Sequence, residues 1–256
     1  MAFVFIIIIF NKNHVCMRIY FGLIFLLTFS ACKKKIESTT TKKITTKKIE
    51  KLVVSDSINY AIKKYSKNEL LGFKDSTFVD LKKLDTSFVY DMKYATIDNF
   101  LKEKVYDCNN CLVRYKTARY LIKANDSLKR LGYKIKFFDC YRPLTIQKKM
   151  WKIFPDARYV AKPKKGSNHN RGSAVDITLV NINNGKDLEM GTPFDFFGNK
   201  AHHAYSYLPK TVLDNRKLLK SVMESNGFRS ITSEWWHYNL INSPRFKVSD
   251  FITQCD

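Results

Sequence analysis

The sequence predicts an α+β domain in which a small mixed or antiparallel sheet is flanked by helices. Amphipathic helical segments and short β-rich segments follow one another without a regular βαβ order, and no internal repeat is visible. Hydrophobic residues make up 45% and aromatic residues 14% of the 256-residue chain. That composition is sufficient for one packed domain plus a tail.

Three segments predict helices. Residues 114–131 place Leu121, Leu128 and other apolar residues near helical spacing, and Gly132 follows as a stop signal. The other two predicted helices cover residues 144–154 and residues 211–226, the second of which is ended by Asn226-Gly227.

Three further segments predict strands. Residues 134–139 alternate lysines with Ile135 and Phe137, which is typical of a half-buried strand, and this strand delivers Arg142 to the loop that follows. The run AVDITLV at 174–180 is short and rich in β-formers, and the aromatic run at 235–240 is strand-like.

Residues 17–32, MRIYFGLIFLLTFSAC, have the layout of an export signal with a lipidation cysteine. An early cation precedes an apolar run, and small residues stand directly before Cys32. The segment resembles a bacterial lipoprotein signal, except that Phe29 stands where that pattern prefers Leu. We therefore expect a signal segment at residues 1–31, with Met17 as the true start, and a lipid on Cys32.

A membrane-spanning helix is the alternative for the same segment. Charges at Arg18 and Lys33 leave fewer than the ~20 consecutive apolar residues that a span needs, so lipidation is preferred. The sequence thus predicts a protein of the bacterial cell envelope, anchored by lipid on the periplasmic or extracytoplasmic side.

The formal net charge of +22 first suggests a nucleic-acid partner. Residues 33–51 alone carry +6 in a polar Lys/Thr-rich stretch that cannot bury enough surface to fold, and the remaining charge is spread along the chain. No basic stripe with interleaved aromatics and no zinc-finger spacing is visible. We therefore expect a flexible tether at 32–52, a domain at 53–256 and no nucleic-acid partner.

Four cysteines remain in the domain once Cys16 and Cys32 are set aside, namely Cys108, Cys111, Cys140 and Cys255. In an oxidising envelope they allow two disulfides in any of three pairings. The close pair Cys108-Asn-Asn-Cys111 has no second pair at zinc-finger spacing. Disulfides or free buried thiols are therefore preferred to a metal site.

The segment SNHNRGSAVD contains the first candidates for chemistry. His169 lies on a Gly-containing loop, and Asp176 follows it inside an apolar strand between Val175 and Ile177. A carboxylate in that position needs a cation partner, because an unpaired buried charge is costly. A zinc ion bound by both side chains would provide it.

The run Glu234-Trp235-Trp236-His237 contains the second candidates. His237 can be a third ligand, with Glu234 beside the water that the metal activates. Three protein ligands and one open position are typical of catalytic zinc, whereas a structural zinc is closed by a fourth ligand. Each residue alone has an ordinary structural explanation, but the combination favours hydrolysis. The two other neighbouring histidines, His202 and His203, stay unassigned.

Several blocks of the chain match one known family in the same order. The blocks are SNHNRGSAVDITLV and EWWHY, together with DMKYATIDNF, DCYRP and MGTPFD, and they extend over roughly residues 80–240. The chain thereby resembles the VanX-type D-alanyl-D-alanine dipeptidases, in a larger group of zinc peptidases that includes D,D-carboxypeptidases and the hedgehog signalling domain. The resemblance implies a hedgehog- and D,D-peptidase-like fold, one Zn²⁺ per chain and hydrolysis of D-alanyl-D-alanine in peptidoglycan metabolism.

The resemblance also implies a role for each site residue. The zinc ligands would be His169, Asp176 and His237. Glu234 would be the general base and acid, and Arg142 would stabilise the oxyanion. The residues that hold the dipeptide would be Asp195, for its free amino group, with Tyr94 and Ser167.

Two other functions would use the same residues. A D,D- or L,D-carboxypeptidase that trims peptidoglycan stem peptides would share the zinc chemistry in an open cleft, but Asp195 argues against it. A zinc-containing binding module would need neither Glu234 nor Arg142. The oligomeric state is left open. Export fits wall recycling better than antibiotic resistance, because the dipeptide precursor is made in the cytoplasm.

Overall fold

The computed structural model describes residues 4–11, 14–21, 64–241, 246–252 and 255. Two compact units divide the chain, Met1–Tyr60 and Ala61–Asp256. In the first unit, strands β1 (Val4–Asn11) and β2 (His14–Phe21) pair antiparallel. The predicted lipidation site Cys32 and the tether at 32–52 lie outside the described residues and stay predictions. In the described part of the chain, no helix has both the length and the apolar character needed to cross a membrane.

The second unit contains a five-stranded sheet with helices, which confirms the predicted α+β class. Its elements follow in the order α1 (Lys67–Gly72), β3 (Phe78–Asp80), α2 (Leu81–Leu84), β4 (Val89–Tyr90), β5 (Leu112–Arg114), α3 (Tyr115–Lys129), β6 (Tyr133–Asp139), α4 (Leu144–Ile153), β7 (Ala174–Asn181), α5 (Lys210–Ser225), β8 (Phe228–Ile231) and β9 (Glu234–Leu240). Short 3-10 turns lie at Lys93–Ala95, His169–Arg171 and Asn199–Ala201.

The main sheet has the strand order β4-β6-β7-β9-β8. The short edge strand β4 runs parallel to β6, and the other neighbours are antiparallel. Strands β3 and β5 form a separate two-stranded sheet. The sheet is therefore mixed, as the sequence predicts.

The six elements predicted from sequence correspond to α3, β6, α4, β7, α5 and β9, with bounds that agree to within two residues. Within the second unit, the strands that the sequence pattern did not indicate are short: β4 has two residues, β3 and β5 three each, and β8 four. Such segments are too brief to show an alternation of period two.

The core forms where helices α3 and α5 cover the main sheet. Helix α3 packs on β6 and buries Ala118, Leu121, Ala124 and Leu128 completely, while α5 packs on β8 and buries Leu219. Strand β7 is buried on both faces from Ala174 to Val180. A central strand without solvent contact is a rigid platform for polar groups at its end.

Two disulfides resolve the three pairings that the sequence left open. Cys111–Cys140 is fully buried beside the end of β6. Cys108–Cys255 fastens the carboxyl-terminal segment, of which residues 246–252 and 255 are described, to the loop before β5. Phe251 of this segment stacks on Phe78 with ring centroids 5.2 Å apart.

Candidate metal centre and substrate cavity

Three polar residues stand in one row across the middle of the main sheet. Asp176 on β7 pairs in register with His237 on β9 and with Asp139 at the end of β6. Residues directly opposite each other on neighbouring strands point to the same face. A bulge between Phe137 and Asp139 permits the last of these pairings. The backbone ladder therefore brings a carboxylate and an imidazole together before any side chain adjusts.

His169 approaches the row from the 3-10 turn at His169–Arg171. Its Nε2 lies 3.2 Å from His237 Nδ1 and 3.4 Å from Asp176 Oδ2. The turn ends at Gly172, whose φ of +70° is a conformation that glycine adopts without strain. An added Cβ would also lie 2.6 Å from the Phe78 ring. The loop that carries His169 thus requires glycine at this position.

The donor set fits a tetrahedral zinc ion. Two ligands at ~2.0–2.1 Å from a tetrahedral zinc are roughly 3.4 Å apart. The three ligand atoms lie within 4.8 Å of one another. His169 Nδ1 is 2.7 Å from the Cys140 carbonyl oxygen, and His237 Nε2 is 3.1 Å from Asn239 Oδ1. A proton on His169 Nδ1 and on His237 Nε2 would be donated to these two acceptors. His169 Nε2 and His237 Nδ1 can then direct their lone pairs at the shared centre.

The charges of the side chains around this centre favour a cation. Burial disfavours the imidazolium form of His237, but the hydrogen bond and charge of Asp176, with the charge of Glu234, outweigh burial and raise its pKa to about 9. Burial also opposes ionisation of Asp176, yet His169 and His237 hold its pKa well below the ordinary value. An ionised carboxylate and two imidazoles together form a donor set that suits a divalent ion.

Glu234 stands beside this centre because the β8–β9 ladder is irregular. Residues three apart on a regular strand point to opposite faces, which would separate Glu234 from His237. The register shifts between Ser230 and Ile231, and Ile231 pairs with Glu234. Glu234 Oε2 consequently lies 3.9 Å from His237 Nδ1. Burial, with the charge of Asp176, raises the pKa of the Glu234 carboxyl group.

Arg142 is fixed in the cavity wall by buried partners. Its Nη2 donates to Asp139 Oδ2 at 2.6 Å and its Nη1 donates to Gln147 Oε1 at 3.1 Å. Asp139 Oδ1 in turn accepts from the Tyr106 hydroxyl at 2.7 Å and from the Cys140 N–H at 2.9 Å. The guanidinium group is therefore oriented before any substrate enters.

Asp195 is held in a conformation that non-glycine residues seldom adopt. Its φ is +57°, and its Oδ2 accepts from the Tyr94 hydroxyl at 2.8 Å. Burial, with the charge of Asp176, raises the pKa of the Asp195 carboxyl group well above its ordinary value. A cationic ligand would favour its ionised form. Backbone strain of this kind is often found at binding sites.

Asn170 connects the loops that carry the predicted residues. Its Oδ1 accepts from the Ser167 N–H at 2.7 Å and from the Ser167 hydroxyl at 3.1 Å, and its Nδ2 donates to the Arg142 carbonyl at 2.8 Å. Its own carbonyl accepts from the Ser249 N–H of the carboxyl-terminal segment at 2.9 Å. Asn170 is completely buried. The Ser167 loop, the Arg142 loop and the carboxyl-terminal segment therefore meet at one side chain.

All the predicted site residues line one cavity of about 210 Å³. They are Tyr94, Arg142, Ser167, His169, Asp176, Asp195, Glu234 and His237. A larger, more apolar cavity of about 480 Å³ beside the Cys108–Cys255 bond contains none of them, so size alone does not identify the site.

The two histidines that the sequence left unassigned lie outside the donor set. His202 lines a smaller cavity of about 90 Å³ that adjoins the first. Burial, together with the charges of Lys220 and Arg216, lowers the pKa of His203 to about 4.

Sequence reasoning missed the residues that support the site, namely Asp139, Gln147, Asn170 and Asn239. Asn239 had a readable signal, since it follows His237 by two positions on a strand and so shares its face. Asp139, Gln147 and Asn170 lie only three to five residues from Arg142 or Ser167, but they sit in loops or at the ends of elements, where no helix or strand period indicates which side chains meet.

Comparisons with known proteins place the chain in one family of peptidases. A family model described as D-ala-D-ala dipeptidase matches residues 74–254. The chain is 35% identical over 162 residues to the D-alanyl-D-alanine dipeptidase of Escherichia coli, covering 63% of this chain and 83% of that protein. It is 32% identical over 190 residues to the protein of the same name from Streptomyces coelicolor, covering 66% and 93%. A solved vancomycin-resistance D,D-pentapeptidase in complex with Zn(II) is 16% identical, with a TM-score of 0.35 over 53% of this chain and 76% of that one.

Proposed function

The chain belongs to the D-alanyl-D-alanine dipeptidase family of peptidases, and on that premise we propose that it is a zinc-dependent enzyme that hydrolyses the dipeptide D-alanyl-D-alanine in peptidoglycan metabolism. One observation carries the proposal. A single cavity contains a three-residue metal-binding group, a glutamate beside it, a fixed arginine and an acid suited to an amino group. A binding module would need only the first of these.

One zinc ion per chain would be held by His169, Asp176 and His237, whose ligand atoms lie within 4.8 Å of one another. Bound zinc supplies a Lewis acid that polarises a carbonyl group and lowers the pKa of water towards about 7. Cys140 and Asn239 keep the imidazole rings in the orientation that offers their lone pairs to the metal.

Glu234 moves the proton. Its carboxylate accepts a proton from the attacking water and returns it to the amine nitrogen of the departing D-alanine. The distance of 3.9 Å from Glu234 Oε2 to His237 Nδ1 keeps this carboxylate within reach of the metal centre without making it a member of the three-residue group.

Arg142 stabilises the negative charge that develops on the former carbonyl oxygen. Asp139 and Gln147 fix its guanidinium, so no reorganisation is needed during the reaction. A single preoriented donor of this kind commonly contributes about 3 kcal/mol to transition-state stabilisation.

Asp195 selects substrates with a free amino terminus. Its carboxylate receives the ammonium group, with the Tyr94 hydroxyl holding the carboxylate and Ser167 on the cavity wall helping to hold the peptide. A blocked amine carries no charge for Asp195 to pair with, so such a substrate would lose this interaction. This requirement separates a dipeptidase from a carboxypeptidase that trims longer stem peptides.

The test compares three substrates on purified zinc-loaded protein: D-alanyl-D-alanine, its N-acetylated form and a tripeptide that ends in D-alanyl-D-alanine. We expect the free dipeptide to be cleaved fastest. Asp195→Asn should lower kcat/KM for the free dipeptide by roughly 10- to 100-fold while changing that for the N-acetylated form little. Faster cleavage of the tripeptide would instead identify a carboxypeptidase.

Glu234→Ala tests the reaction itself. This variant should keep its zinc and lose hydrolysis by several orders of magnitude, because Glu234 is the carboxylate that lies beside the metal-binding group and moves the proton. Zinc content and initial rates are measured on the same samples. Cleavage near the wild-type rate would show that Glu234 is not the base.

We also propose that the enzyme is exported and anchored in the bacterial envelope through lipid on Cys32, facing the periplasmic or extracytoplasmic side. The signal-like segment MRIYFGLIFLLTFSAC supports the proposal. The two disulfides support it as well, since such bonds persist in oxidising compartments. In that location the enzyme would recycle wall peptides rather than remove the cytoplasmic dipeptide precursor.

Cell fractionation and fatty-acid labelling test the anchor. We expect label on the native protein, its recovery with membranes, and loss of both in Cys32→Ala. Recovery of unlabelled native protein from the cytosol would overturn the anchor without affecting the proposed chemistry.

A further inference from the structure

The dipeptide substrate has two charged ends, and the structure provides an evident partner for only one of them. Asp195 can take the ammonium group. The carboxylate at the other end would lose its hydration in the cavity and therefore needs a cation or several donors. Among the described residues that line the cavity, the two permanent cations are Arg142 and Arg158.

Arg142 is already committed. Its side chain is 9% exposed, and its two terminal nitrogens donate to Asp139 and Gln147. Its Nε, which has no hydrogen-bond partner among the described residues, stays available for the oxyanion, but moving the whole guanidinium to a substrate carboxylate would break a buried ion pair, which is strongly unfavourable.

Arg158 is in the opposite condition. Its side chain is 76% exposed, and within the described part of the chain its ion pair is with Asp156, two residues earlier. Its Nε lies 3.0 Å from Asp156 Oδ1. An exposed pair of this kind contributes little to stability, so exchange of Asp156 for another carboxylate has a low cost.

The location of Arg158 agrees with the chemistry of the leaving group. Glu234 protonates the amine of the departing residue, and the carboxyl carbon of that residue is only about 2.5 Å from its amine nitrogen. The carboxylate must therefore bind on the Glu234 side of the cavity. Arg158 and Glu234 both line the main cavity and also the smaller adjoining cavity of about 90 Å³.

The loop that carries Arg158 is well supported. The Tyr159 ring stacks on Phe197 with centroids 4.0 Å apart, and the Arg158 guanidinium carbon lies 5.2 Å from the Tyr159 ring centre. Gln147 Nε2 donates to the Ala161 carbonyl at 2.8 Å, which ties this loop to the residue that also orients Arg142. The planar guanidinium can then meet a carboxylate through two parallel hydrogen bonds.

We propose that Arg158 is the specificity-determining residue that binds the free carboxylate of the dipeptide, so that the cavity recognises both charged ends of its substrate. The inference rests on the proposed dipeptidase function. It predicts that the enzyme requires a free carboxyl terminus, as well as a free amino terminus.

The experiment uses D-alanyl-D-alanine and D-alanyl-D-alaninamide, which lacks the carboxylate charge. Zinc-loaded wild-type protein should prefer the acid. Arg158→Gln should lower kcat/KM for the acid by roughly 10- to 100-fold, mainly through KM, and change that for the amide by less than about twofold. Arg158→Lys should fall between, and Arg229→Gln, which removes an exposed charge on β8, should match wild type.

Equal losses on acid and amide in Arg158→Gln, or no loss on either, would overturn the assignment. Binding of both ligands to Glu234→Gln protein, with and without Arg158→Gln, is measured by calorimetry to separate recognition from turnover. A second outcome is that the wild type cleaves neither compound, while Glu234→Gln protein binds the acid more tightly than the amide and Arg158→Gln removes that preference. In that case the proposed reaction fails and the carboxylate site stands. If the acid and the amide bind equally, the site fails whatever the rate.

Discussion

The two walls of the cavity are built in different ways. On the sheet wall, Asp176 and His237 are paired in register on hydrogen-bonded strands. On the loop wall, Tyr94 comes from a 3-10 turn, Asp195 from a loop with φ of +57°, and Arg158 from an exposed loop. The backbone ladder thus fixes two of the three metal-binding residues, and the turn that carries His169 adds the third, while side-chain contacts fix the substrate-binding geometry. Substrate preference can therefore change without loss of the metal.

The largest effect is expected on the sheet wall. Asp176→Ala should abolish stoichiometric zinc binding and lower kcat/KM by at least about 10³-fold, because the Lewis acid contributes several kcal/mol to catalysis. Zinc content is measured by atomic absorption beside the rate. Asp187→Ala, which removes a surface carboxylate that pairs with Lys136, should keep both. An Asp176→Ala protein with full zinc and full rate would break the comparison.

Arg142 lies between the two walls, and its substitution should give the next effect. Arg142→Lys keeps the charge but loses the planar fork that Asp139 and Gln147 hold. We expect kcat to fall about 10²- to 10³-fold with little change in KM or zinc content. Arg130→Lys at the exposed end of α3 is the control. A decrease in kcat of less than tenfold would show that Arg142 does not stabilise the transition state.

Asn170 connects the Ser167 loop to the Arg142 loop, so its substitution should have an intermediate effect on activity. Asn170→Ala leaves the Ser167 N–H and the Arg142 carbonyl without their buried partner. We expect the free energy of unfolding to fall by about 1–3 kcal/mol and kcat/KM to fall roughly tenfold. Both kcat and KM should change, because Arg142 and Ser167 are both affected, whereas a purely structural role would change stability alone. Asn184→Ala on an exposed loop is the matched control.

Tyr94→Phe should give the smallest effect. It removes the hydroxyl that donates to Asp195 at 2.8 Å and preserves the ring. A single hydrogen bond corresponds to a rise in KM of roughly 2- to 10-fold, with kcat and zinc content nearly unchanged. Tyr207→Phe, at a residue that is 86% exposed, should show no change. A drop in zinc content for Tyr94→Phe would show that the walls are not independent.

The sheet wall was largely predictable from sequence, and the loop wall was not. The run AVDITLV is rich in β-formers and places Asp176 inside a buried strand, where an acid needs a cation. The joint position of Glu234 and His237 depends on a register shift that appears only when β8 and β9 pair. The resemblance to a family supplied that combination where the spacing alone would have separated the two side chains.

Support for Arg142 and Ser167 could not be predicted because it depends on how irregular loops fold and on links from those loops to distant segments. Gln147 reaches Arg142 from helix α4, and Ser249 reaches Asn170 from the carboxyl-terminal segment. Arg158 carried no signal in the sequence either, since an arginine on a polar loop is ordinary. Its role in substrate binding can be inferred only from its place in the cavity wall of the folded chain.

The Cys108–Cys255 bond can form only after all the residues that line the cavity have been synthesised. Cys255 leaves the ribosome after every residue of the cavity, and its segment includes Ser249, which holds the backbone next to His169. If oxidation follows export, chains still inside the cell lack this last fastening. We expect such immature chains to be the poorer catalysts, which would spare the precursor pool for new wall; equal rates for reduced and oxidised protein would remove that protection.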